Sequence, residues 1–111
     1  MLSTTKRFFG ISRSNVVIVG AKRTPIGSFM GALSALNGPT LGKIAAIGAI
    51  ENANIDPADI EEVYMGNVLQ AGAGQAPARQ VALGANCGHD TPSTTINKVC
   101  ASGMKAAMMA A

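Results

Sequence analysis

Thr94-Thr95-Ile96-Asn97-Lys98-Val99-Cys100-Ala101-Ser102-Gly103-Met104-Lys105-Ala106-Ala107 changes pattern part-way along. Thr94, Thr95, Ile96 and Val99 supply the β-branched side chains of a strand. From Cys100 onward, CASGMKAAMMAA carries enough alanine to be helical. A strand that runs directly into a helix is the repeating joint of an α/β sheet, so the preceding sequence should hold more such units.

It does. Glu62 to Leu69, centred on Val63-Tyr64-Met65 and Val68, reads as a strand. Pro77 then opens a short helix through Arg79, Val81 and Leu83 that Gly84 can close. Further back, Thr40 is the expected N-cap of a helix with Leu41, Ile44, Ile47 and Ile50 on one face. Asp56-Pro57 has the form of a cap and first position of a short helical turn. Val16-Val17-Ile18-Val19 is a continuous β-branched run, which suits a strand covered on both faces. The order strand, helix, strand, helix, strand, helix predicts an α/β fold with a mainly parallel sheet. Three such strands leave open edges, and the last helix reaches Ala111 without Gly, Asn or a basic residue to satisfy its final carbonyls. This organisation is expected of a piece of a larger fold.

Composition narrows the function. Of the 111 residues, 14% are charged, against roughly 25% in ordinary globular domains, which implies segments buried on several sides. The net charge of +3 is concentrated at the front: Lys6, Arg7, Arg13, Lys22 and Arg23 precede any acid. The remainder has four basic and six acidic residues, with no basic stripe and no aromatic platform for nucleic acid. Apolar runs are too short to span a membrane. Two cysteines and one histidine, with no C-x-x-C, make neither a disulfide scaffold nor a zinc shell, so no metal-binding residue is assigned.

Residues 1–14, MLSTTKRFFGISRS, combine Arg, Lys, Ser, Thr and two phenylalanines without an acid. That is the bias of a mitochondrial presequence, the alternative being a basic tail on a cytoplasmic protein. The division expected is a leader over residues 1–14 and a partial α/β domain over 15–111.

In an open α/β sheet, ligands bind where strands end and helices begin. Cys100 occupies such a junction, where unpaired N–H groups and the positive end of the helix dipole favour a thiolate. The same donors can stabilise an oxyanion, and Ala101, Ser102 and Gly103 are small enough to let a substrate approach. Position alone leaves two readings open, a nucleophile and a small buried hydrophobe. Cys87, away from any such junction, reads as structural. His89 reads as a surface loop residue. Lys98 and Lys105 are possible contacts for an anionic substrate, though solvated lysines are commoner, and Arg79 has no decided partner. Gly72-Ala73-Gly74-Gln75-Ala76-Pro77 lacks the third glycine of a dinucleotide fingerprint, and Gly38 through Lys43 is one residue short of a phosphate-binding loop. No cofactor-binding residue is assigned.

Three long stretches in order, VVIVGAKRTPIGSF, YMGNVLQAGAGQAPARQVALGA and TTINKVCASGMKA, resemble the N-terminal part of the thiolase family. The resemblance covers about residues 15–111. It implies part of the first of two similar halves in a five-layered αβαβα fold. It implies acetyl transfer between coenzyme A thioesters, with Cys100 as the acyl-accepting nucleophile and its backbone N–H in an oxyanion hole. Coenzyme A thioesters are then substrates, and no covalent cofactor is expected. Gly72 to Arg79 resembles a segment at the subunit contact of a dimer or tetramer. The base histidine, the second cysteine and the Asn-containing oxyanion site of thiolases lie in downstream motifs, and His89 and Cys87 do not match them. A noncatalytic thiolase-derived binding or dimerisation module is the competing reading. On the enzyme reading, the 111-residue polypeptide alone should show no turnover; measurable acetoacetyl-CoA cleavage by the purified chain would contradict this.

Overall fold

The computed structural model describes residues 16–111; the leader expected over residues 1–14, and the start of the domain at residue 15, lie outside them. Its first helix, α1 (Gly38–Ala53), begins because Asn37 is extended and its Oδ1 accepts from the backbone N–H of Thr40 at 2.9 Å. Thr40 Oγ1 donates to the same Oδ1 at 2.7 Å. Thr40 therefore lies inside the first turn, and the cap expected there is supplied three residues earlier. Pro39, with its preset φ and no N–H to lose, fits within the first turn. A single 3-10 turn, Pro57–Asp59, follows, capped by Asp56 Oδ1 on the Ala58 N–H at 2.9 Å as its sequence implied.

Strand β1 (Val63–Gly66) leads through a loop to α2 (Pro77–Gly84), and β2 (Ser93–Ile96) leads into α3 (Ser102–Ala110). β1 and β2 pair in parallel, Val63 opposite Ser93 and Gly66 opposite Ile96, with α2 as the crossover between them. This is the unit the alternating pattern required.

The expected first strand does not form. Val16, Val17, Ile18 and Val19 pair with no strand among the described residues, and all four are exposed. A β-branched run suits a pleated, half-buried surface and becomes a strand only when a neighbour completes that surface. The segment leaves through Gly20, which approaches α1 so closely that a Cβ there would lie 2.6 Å from the Ala49 carbonyl oxygen.

Small residues build the core. The buried hydrophobics are Ala73, Ala78, Val81, Ala82, Ala85, Cys87 and Ala106. Backbones approach where side chains are short: Gly42 of α1 meets Val81 of α2, and Gly84 of α2 meets the Lys43 stem. Both α1 and α2 end in the same way. Asn54 and Asn86 take left-handed conformations (φ 55 and 62). The N–H groups of Asn54 and Ile55 reach the Glu51 and Ile50 carbonyls, and those of Asn86 and Cys87 reach Leu83 and Ala82. These are Schellman endings with asparagine at the left-handed position. Gly84, expected to close α2, is its last helical residue.

The start of α2 is satisfied from a distance. Its N-cap, Ala76, has no side chain able to bond, and the Ala78 N–H instead donates to Thr95 Oγ1 on β2 at 3.0 Å. Replacing Asn37 by Ala should destabilise the folded protein by about 1 kcal/mol, the usual cost of losing an N-cap. Thr40→Ala, which leaves that cap in place, should cost clearly less in denaturant titration; a larger loss at Thr40 would reverse the assignment.

Candidate active site

A left-handed turn carries β2 into α3. Ile96 ends the strand, and Asn97 to Ala101 make the connection. Val99 sits in the left-handed region, φ 48. For a β-branched residue this costs about 1–3 kcal/mol and persists only where neighbours enforce it. The neighbours are explicit. Asn97 Oδ1 accepts from the Val99 N–H at 3.0 Å, while Asn97 Nδ2 donates to the Val68 carbonyl at 3.2 Å. Ser102 Oγ accepts from the Lys98 N–H at 2.8 Å and donates to the Val99 carbonyl at 2.6 Å.

Cys100 follows Val99, and its side chain is exposed. It lies outside α3, one residue before the N-cap Ala101, rather than in the first helical turn expected for it. The left-handed residue is the physical reason: the chain must reverse at Val99 and recover at Ala101 before helical bonding can start at Ser102. Ala101 has no side chain able to cap α3. The donors closest in sequence to the thiol are thus the N–H groups of the turn and of the first turn of α3.

Packing sets the position of this turn. A Cβ on Gly66, the last residue of β1, would lie 2.5 Å from the Gly103 nitrogen and 2.6 Å from the Ser102 carbonyl carbon. Both are backbone atoms that cannot swing aside. Glycine at 66 lets the start of α3 rest directly on β1, while Gly103 itself has nothing within 4 Å of an added Cβ.

The other candidates separate. Cys87 is 6% exposed and packs with Ala82 and Ala85 against Ala46, Ile47, Ile50, Ile60 and Val63. The Schellman ending of α2 turns it inward, and burial pushes its thiol pKa up, favouring the neutral form. His89 is exposed in the loop before β2. Its carbonyl, rather than its imidazole, is engaged: Arg79 donates through Nη2 to the His89 carbonyl and through Nη1 to that of Thr91, the latter at 2.9 Å. Thr91 Oγ1 in turn donates to the Ile60 carbonyl at 3.1 Å. Arg79 thus fastens α2 to the loop that feeds β2, an intramolecular role its sequence position did not reveal. Lys98 and Lys105 border a shallow groove with Ala101, Met104 and Met108. Among the described residues, no three His, Cys, Asp or Glu side chains gather closely enough to hold a metal ion. Sequence reasoning missed Ser102 and Asn97 as the tethers of the turn. Their only signal was a pair of short polar side chains flanking a β-branched residue.

Residues 16–111 match the model of the thiolase N-terminal domain. The chain belongs to the thiolase family. It is similar to the mitochondrial acetyl-CoA acetyltransferase of Macaca fascicularis, 66% identical over 95 residues, covering 86% of this chain and 22% of that protein. It is also similar to acetyl-CoA acetyltransferase A, mitochondrial, of Xenopus laevis, 58% identical over 112 residues, covering 99% of this chain and 27% of that protein. Among solved structures, the Acat5 thiolase of Ascaris suum in complex with coenzyme A superposes with a TM-score of 0.83 at 42% identity, covering 85% of this chain and 25% of that one. Human mitochondrial 3-ketoacyl-CoA thiolase in complex with CoA superposes with a TM-score of 0.80 at 35% identity, over 83% of this chain and 24% of that one. The chain thus spans about a quarter of the length of these thiolases. The parallel sheet and helices described above are part of the thiolase fold.

Proposed function

We propose that Cys100 is the acyl-accepting nucleophile of an acetyl transfer between coenzyme A thioesters, performed by the protein at the length of its relatives. The observation that carries this reading is an exposed thiol beside a strained, tethered turn between a parallel strand and a helix, with small residues around it. Strain held at one residue by its neighbours is a recurrent property of functional sites. The coenzyme A bound in two similar thiolase structures supports the substrate class.

The chemistry follows from the thiol. The Cys100 thiolate attacks the thioester carbonyl of acetyl-CoA, a new C–S bond forms, and the carbonyl oxygen takes up the charge. The backbone N–H of Cys100 lowers the barrier by meeting this oxygen, while the N–H groups of Lys98, Val99, Ala101 and Ser102 are committed within the turn. Collapse breaks the bond to the CoA sulfur, which leaves as a thiolate and takes a proton. In the second step, a carbanion formed on another acetyl-CoA attacks the acetyl-enzyme, releasing acetoacetyl-CoA and freeing Cys100. The reverse direction cleaves acetoacetyl-CoA and returns the acetyl group to CoA. Removing the carbon-bound proton needs a base, which the resemblance puts in downstream thiolase motifs. Neither Cys87, buried with its neutral form favoured, nor the exposed His89 suits that task. The assembly inferred is a homo-oligomer, dimer or tetramer, using the region of Gly72 to Arg79, which sedimentation of the full-length protein reads directly.

In that protein, Cys100→Ala should abolish covalent acetylation by acetyl-CoA and lower turnover by at least about a thousandfold, as expected for loss of a nucleophile that acts as a unit with its partners. Mass mapping of the acetylated peptide checks this; persistent labelling at another residue overturns the assignment. We further infer mitochondrial import, supported by the acid-free basic leader and by relatives named as mitochondrial. A reporter carrying residues 1–20 should reach mitochondria, and a cytosolic reporter would remove the inference.

A further inference from the structure

Ser102 stands where a helix normally starts, yet its hydroxyl is not used as a helix cap. It is 4% exposed, and both of its hydrogen bonds run backward across the turn, from the Lys98 N–H and to the Val99 carbonyl. These bonds bracket the residue whose backbone is left-handed. Valine does not choose that conformation; its branched Cβ opposes it. The turn must therefore be held: backbone bonds from the Ala101 N–H to the Lys98 carbonyl and from the Ser102 N–H to the Val99 carbonyl, both 3.1 Å, close it, and the Asn97 and Ser102 side chains add to them. Asn97 is exposed, so water can take over its bonds if it is removed. Ser102 is buried, so its hydroxyl bonds are better shielded from water than those of Asn97; without it the Lys98 N–H loses its protein partner, and the Val99 carbonyl keeps only the Ser102 N–H at 3.1 Å.

We infer that Ser102 is a positioning residue for Cys100: its hydroxyl ties the Lys98–Val99 backbone into the left-handed turn that fixes the direction of the thiol. Ser102 does not touch the reacting atoms. It acts through Val99, which is covalently joined to Cys100. The claim rests on the reading of Cys100 as the nucleophile. It adds that the placement of the thiol comes from one buried hydroxyl opposing the preference of the neighbouring valine. Losing the hydroxyl lets Val99 relax toward an ordinary conformation and swings Cys100 away from its attack position.

The test uses the full-length protein and reads the single-turnover rate of Cys100 acetylation by acetyl-CoA, located by peptide mapping. Ser102→Ala should slow acetylation by about a hundredfold, the scale of a misplacement near 1 Å, with half-saturation by acetyl-CoA unchanged. Ser102→Thr, which keeps the hydroxyl, should stay close to wild type. Val99→Asn in the Ser102→Ala background should recover most of the rate, because asparagine accepts the left-handed conformation without a tether. A purely structural role for Ser102 predicts no such recovery. Wild-type acetylation by Ser102→Ala, or a folded double variant as slow as the single one, overturns the proposal. If Ser102→Ala alone does not fold, the double variant decides: a rate near wild type supports the tether, and a folded protein about a hundredfold slower overturns it. Failure of the wild-type protein to be acetylated at Cys100 sinks the nucleophile reading itself, and is distinguished from the other outcomes by the wild-type peptide map.

Discussion

The absence of a side chain at Gly66 governs the geometry of this molecule. Because a Cβ there would run into the Gly103 nitrogen and the Ser102 carbonyl carbon, the start of α3 can lie on β1 only while position 66 is glycine. That contact brings the end of β1 against the beginning of α3, although thirty-five residues, an entire crossover, separate Gly66 from Ser102 in the chain. The turn bearing Cys100 must then close the distance from Ile96, which pairs with Gly66 across the sheet, to Ser102, which packs on the same residue. Few backbone paths do this in five residues, and the left-handed Val99 is part of the one taken. Strain at the candidate nucleophile and close packing at Gly66 are two ends of a single constraint.

Local patterns were legible where the forces behind them are local. Asp56-Pro57 predicts a capped turn because the cap lies two residues from the N–H it satisfies, and the structure has that turn. Pro77 predicts the start of α2, and Val63-Tyr64-Met65 the heart of β1, for equally short-range reasons. The parallel βαβ order follows from alternation alone. Expectations failed where the deciding partner is distant or where two residues compete. Val16–Val19 has strand composition, but composition cannot create the neighbour that a strand needs. Thr40 and Asn37 are both good caps, and the choice between them depends on where the chain leaves the preceding loop. Gly84 was expected to close α2 because glycine tolerates positive φ; the helix does end there, but the left-handed residue that completes the ending is Asn86.

The two cysteines show how far backbone geometry decides the chemistry available to one residue type. Cys87 follows a left-handed asparagine at the end of a helix, and the Schellman ending directs it into the alanine-rich core, where burial favours the neutral thiol. Cys100 follows a left-handed valine before a helix, and the turn directs it outward. Sequence reading separated them by one feature, the strand-to-helix joint, and the structure places Cys100 exposed at that joint and Cys87 buried away from it. It misplaced the helix start by two residues. The error matters, because a thiol inside the first turn would be oriented by the helix itself, whereas a thiol before the N-cap is oriented by whatever holds the turn.

Orientation by a tether has a consequence for how such a site tolerates change. Helical hydrogen bonds would fix a residue cooperatively, so that no single side chain decided its direction. Here α3 begins only at Ser102, and Ala101 contributes no cap. The energy that keeps Val99 left-handed must come from specific polar atoms of the turn, and of its two tethering side chains Ser102 is the buried one. The same arrangement explains why small residues gather on both sides of the thiol. Bulk at 66 would push α3 off the strand, whereas a Cβ added at Gly103 would meet nothing within 4 Å. Glycine thus serves opposite purposes at the two positions: one permits backbone contact that sets the turn, and the other leaves room above it.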